Sequence, residues 1–119
     1  MSLTVNAKTF GADRIGPDSV TYFGPAHTMS SKDDILLARV LPKPTTLFSG
    51  VARTTAKLTR TLTLDGTALT PTAPAIVEIS VSVPVGSVAA DIDSLLNDMG
   101  SYLSSATAKL VVKNQAINY

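Results

Sequence analysis

The chain has 119 residues, of which 45% are apolar and 16% charged, with a formal net charge of +1. That length predicts a single domain over 1–119 with a real core, and a mean hydropathy of +0.25 excludes a disordered chain. Cysteine is absent, which excludes disulfides, thiolate nucleophiles and zinc–thiolate sites; neither a signal peptide nor an apolar run long enough to span a membrane is visible.

Leu3 to Phe10 alternates Leu3, Val5, Ala7 and Thr9 against Thr4, Asn6, Lys8 and Phe10, which predicts a first strand. Gly11-Ala12-Asp13 reads as a turn. Ser19 to Phe23 is a short second strand, ended by Gly24-Pro25. His27 to Asp34 is a polar connection, and Ile35 to Leu41 is a compact apolar run before Pro42, too short for a helix.

Gly50 to Leu64 is the most informative strand. Its odd positions, Arg53, Thr55, Lys57, Thr59, Thr61 and Thr63, make a polar, basic face. Its even positions are apolar apart from Thr54 and Arg60. Asp65-Gly66 signals a turn, and Thr67 to Ala73 is an uncharged loop. Ala75 to Val83 alternates again, with Val77, Ile79, Val81 and Val83 against Ile76, Glu78, Ser80 and Ser82.

After Pro84 the period changes. Ser87 can cap a helix. Val88, Ile92, Leu95, Leu96, Met99, Tyr102 and Leu103 form a helical stripe, with Gly100 a candidate bend. Asp91 and Asp93 suit the positive helix N-terminus. A second helix is predicted from Ala106 to about Lys113. The class is α+β: an antiparallel meander of about five strands followed by two C-terminal helices. One helix pair is a thin cover for such a sheet, so burial against a second copy is predicted.

No constellation for catalysis is present. His27 is the only histidine and stands in a loop without a carboxylate pair, so a packing role is expected. Asp91 and Asp93, two apart on a helix, point away from each other and do not converge on a metal. There is no phosphate-binding glycine loop, nucleophile elbow or zinc-protease motif. The prediction is no enzyme, no catalytic residue, no metal and no cofactor.

Charge supplies the remaining signal. Arg39, Lys43, Arg53, Lys57 and Arg60 fall between Asp34 and Asp65 with no carboxylate among them. From Asp65 to Asp98 the chain is acidic, without Lys or Arg. Hydroxyls and cations spaced ~6.6 Å apart along a strand can follow phosphates and bond unstacked bases. The same threonines also suit a plain solvent-facing strand. On the residues alone both readings stand.

The whole arrangement resembles the coat proteins of single-stranded RNA bacteriophages, the levivirus family. Those chains open with a β-hairpin, continue through a meander and end in two helices. Thr54-Thr-Ala-Lys-Leu58 is similar to the family's strand with a Thr-x-Lys pair on the RNA face, which implies RNA contacts for Thr55 and Lys57, with Arg53 and Thr59 beside them. Val77-Glu-Ile-Ser-Val81 resembles the family's last strand and implies the same for Glu78 and Ser80. Ala116 to Tyr119 is similar to the family's short apolar ending with a terminal Tyr. Where well-described members place an Asn and a Tyr against an RNA hairpin, this chain has Ile76 and Pro74; where the preceding strand offers Thr or Ser, the nearest equivalents are Leu37 and Arg39.

The resemblance implies a homodimer with interlocked helices and an edge-to-edge sheet. Many dimers would close an icosahedral shell in the bacterial host cytoplasm. Single-stranded genomic RNA would lie on the inner face, held by Arg39, Lys43, Arg53 and Lys57, and the loop from Gly66 to Ala73 would surround the shell's symmetry axes. Repression of translation through an RNA hairpin is implied too. No membrane or small-molecule substrate is expected. Two other classes fit the residues: a small dimeric RNA-binding regulator that forms no shell, and a structural subunit that binds no nucleic acid.

Overall fold

A computed structural model describes residues 2–47, 50–64 and 72–117. They form two compact units, a sheet up to Val85 and a helical pair from Gly86.

The sheet opens with a hairpin of β1 (Ser2–Val5) and β2 (Lys8–Ile15). Val5 pairs with Lys8, leaving Asn6 and Ala7 as a two-residue loop with φ of 51° and 61°. Two successive left-handed residues are what a tight hairpin with the strands' natural twist requires. The single strand predicted over Leu3–Phe10 is therefore two, because no glycine marks the turn. The turn predicted at Gly11–Asp13 is strand instead. There the register slips: Ala12 faces Tyr22 and Arg14 faces Thr21, with Asp13 the extra residue of a bulge.

Four strands follow: β3 (Ser19–Phe23), β4 (Asp33–Val40), β5 (Val51–Thr63) and β6 (Thr72–Pro84). All neighbours are antiparallel and the spatial order is the chain order. The count is six rather than about five because the first predicted strand folds back on itself. Asp65-Gly66 and the loop through position 71 lie outside the described residues, as does Tyr119; Thr72 and Ala73 belong to β6.

The core lies on one side of the sheet. Phe10, Tyr22 and Ile35 are buried there, flanked by Leu3, Ala12, Val20, Leu37 and Leu58. Arg60 faces the same side, and Asp33, only 1% exposed, is its cross-strand partner. The Arg60 Nε donates to Asp33 Oδ1 at 2.9 Å, and the Ala26 N–H donates to Oδ2 at 3.3 Å. This explains a basic residue at an apolar position: its charge is neutralised within the sheet. Gly24 is needed beside the pair, since a Cβ there would lie 2.5 Å from both Asp33 Oδ2 and Phe10 Cε2.

The second unit holds α1 (Ala89–Ser104) and α2 (Ala106–Asn114). Val88 occupies the N-cap of α1 without a side-chain cap bond, so Ser87 is not the cap. The helix runs through Gly100 and breaks at Ser105, whose extended backbone ends α1 and whose Oγ accepts from the Ala108 N–H at 3.2 Å. Serine at this junction satisfies one orphan donor of α2. α1 has no buried residue, and Leu95, Met99 and Tyr102 are each about half exposed. Among the described residues no helix is long and apolar enough to cross a membrane.

Candidate nucleic-acid interface

Antiparallel partners share a face, so the register assigns every side chain of the sheet to one side. The side opposite the core carries rows of polar residues that cross several strands. Arg14, Thr21, Leu36, Lys57 and Glu78 make one row. Phe23, Asp34, Thr59 and Ile76 make the next, and Ser19, Ala38, Thr55 and Ser80 flank the first on its other side. Beyond these, Val40, Arg53 and Ser82 close the pattern. Arg53, Thr55, Lys57, Thr59, Glu78 and Ser80 thus stand together on one face.

Lys43 reaches this face from the loop after β4. It lines a shallow hollow with Val40 and Arg53. Gly50 makes the approach possible: its φ is +98°, and a Cβ would sit 3.0–3.1 Å from the Lys43 backbone. Only glycine combines that dihedral with that proximity.

Arg39 is placed differently. It pairs with Thr54, so it lies on the core side of the sheet. Its Nε donates to Asp18 Oδ1 at 3.3 Å and its guanidinium to the Pro17 carbonyl at 3.2 Å. Leu37 shares that side, so the β4 residues that border the polar rows are Asp34, Leu36 and Ala38. Among the described residues the ion pairs are Arg39–Asp18 and Arg60–Asp33. Arg14, Lys32, Lys43, Arg53 and Lys57 take part in neither, which leaves five cations on or beside one face.

The polar face also carries a depression of about 380 Å³, which individual strand patterns do not reveal. Arg14 reaches it because the bulge at Asp13 shifts the alternation and turns Arg14 away from the core. His27 stacks on Phe23, ring centroids 3.7 Å apart and planes 13° from parallel. His27 Nδ1 and Asp34 Oδ1 are buried and have no hydrogen-bond partner among the described residues. Asp13, Thr21, Lys32, Leu36, Lys57 and Thr59 complete the wall. The packing role expected of His27 is thus a stack on a strand aromatic. A signal for this site existed in the aromatic ending of β3 and the single histidine after it, but only the fold brings them to Asp34 and Arg14. No group of three or more metal-ligating side chains is found among the described residues.

No protein-family description matches the sequence, and neither does any curated protein. Solved structures do match. The virus-like particle of Wenzhou levi-like virus 4 superposes with a TM-score of 0.78 at 27% identity, covering 92% of this chain and 76% of that one. That of Beihai levi-like virus 32 gives 0.75 at 25% identity, covering 93% and 84%. That of bacteriophage AVE019 gives 0.76 over 100% and 96% of the two chains at 15% identity, a likeness of fold alone.

Proposed function

We propose that this chain, a capsid structural protein with the coat-protein fold of levi-like viruses, pairs with a second copy and assembles into an RNA-filled shell. The carrying observation is the unfinished side of the sheet. β6 is an edge of thirteen residues. Beside it, on the core side, Val77 is 51% and Leu62 47% exposed. A long edge that carries exposed apolar side chains invites pairing with another strand. Pro74 and Pro84, near the two ends of β6, would confine new ladder bonds to the stretch between them. The half-exposed apolar stripe of α1 supplies further surface for a twin to cover.

Arg53, Lys57 and Lys43, with Thr55, Thr59, Glu78 and Ser80 around them, would then face the packaged single-stranded RNA. Affinity would be mainly electrostatic and would fall as salt rises. Arg39, on the other side and bonded to Asp18, plays no part in this reading. Assembly would take place in the bacterial host cytoplasm and yield a virion component. Electron microscopy of the expressed protein, with nucleic acid extracted from the same sample, tests the proposal. Closed particles containing RNA are expected; a small soluble species would favour a regulator, and RNA-free particles a purely structural subunit. The Arg53→Ala, Lys57→Ala double variant should package less RNA while still pairing, and unchanged RNA content would count against this face.

A further inference from the structure

We propose that the depression walled by Phe23, His27, Asp34 and Arg14 is a pocket for one unstacked guanine of single-stranded RNA. The inference rests on the reading that the polar face meets RNA, and it names the base that the pocket selects. Its volume of about 380 Å³ falls at the small end of ligand pockets, suited to a single nucleotide rather than a helix. The stacked Phe23–His27 pair offers an aromatic surface of the kind on which single-stranded bases pile. Arg14 and Lys32, outside both described ion pairs, border the same space and suit the phosphates on either side.

Asp34 sets the choice of base. Its Oδ1 is buried without a donor, and leaving such an acceptor unsatisfied is costly. The last torsion of an aspartate is broad, so the carboxylate can turn to present both oxygens. A carboxylate only accepts hydrogen bonds, and two oxygens side by side need two adjacent donors. Guanine provides them on its Watson–Crick edge, N1–H and the N2 amine. Adenine and cytosine each set an amino donor beside a ring acceptor, and uracil has one N–H between two carbonyls. Only guanine therefore satisfies both oxygens. Asp13 also lines the space but is exposed on the bulge, where water already satisfies it.

The test uses the full-length protein, diluted to its smallest folded species, and short oligouridine RNAs carrying one central guanosine, inosine or adenosine. Fluorescence anisotropy should show guanosine bound about tenfold more tightly than adenosine, with inosine, which lacks the N2 amine, in between. Asp34→Asn should abolish the difference between the guanosine and adenosine RNAs, while its lost negative charge tightens binding of plain oligouridine slightly. Arg53→Ala, outside the pocket, should weaken all the RNAs alike and keep the preference. Equal affinity of the wild-type protein for guanosine and adenosine RNAs would overturn the pocket while leaving the RNA-facing sheet intact. Failure to bind any of them would overturn both. The wild-type comparison stands even if Asp34→Asn does not fold.

Discussion

The two ends of the core-side surface are built from the same kind of residue and meet opposite fates. Over β2, β3 and β4, Phe10, Tyr22 and Ile35 are 1%, 8% and 7% exposed. Over β5 and β6, Leu62 and Val77 on the same face are about half exposed. Alternation therefore tells which way a side chain points, but not whether its own chain covers it. The first end is a core covered by its own chain, and the second is left half exposed.

Substitutions can separate the two ends. The largest effect is expected at the finished end, where Phe10→Ala should cost about 4 kcal/mol by emptying a filled site, read as a lower midpoint in denaturant unfolding. Asp33→Ala comes next, at about 3 kcal/mol, because it strands the Arg60 guanidinium and removes the acceptor for the Ala26 N–H. Adding Arg60→Met should recover part of that loss, and no recovery would mean that Asp33 matters only for the loop. At the unfinished end, Val77→Ala should cost less than about 0.5 kcal/mol if the surface stays in water. If a second copy covers it, the cost rises to about 1.5 kcal/mol for the two methyl groups lost, visible as easier dissociation. The smallest effect carries the opposite sign: Ala7→Gly, relieving φ of 61° at the hairpin tip, should stabilise the protein by about 0.5–1 kcal/mol in thermal melting.

Much of this architecture is legible in the sequence. The thirteen-residue strands β5 and β6 announce themselves by long alternation, and the polar identity of Arg53, Thr55, Lys57, Thr59, Glu78 and Ser80 follows from counting by two. The two helices show in the change of period after Pro84. What stays hidden depends on pairing. The phase of β4 against β5 puts Arg39 behind the sheet, and no inspection of β4 alone gives that phase. The hairpin at Asn6-Ala7 is concealed because alternation continues through it. The bulge at Asp13 is concealed because Gly11-Ala12-Asp13 reads as a turn, and with it the position of Arg14. The depression joins a strand end, a loop and a bulge, so its residues are neighbours only once the register is set. The cap expected at Ser87 falls one residue later, at Val88, and the break between the helices falls at Ser105, because local cues do not fix where a helix begins and ends.

Under the proposed pairing, one chain is half of a folded unit whose uncovered side and free edge a twin completes. Native mass spectrometry of the protein, diluted stepwise until assembly ceases, tests it most directly. The smallest folded species is expected to have twice the 12.4 kDa chain mass, and the chain to lose its structure when the pair separates. A stable, cooperatively unfolding species of single chain mass would contradict it.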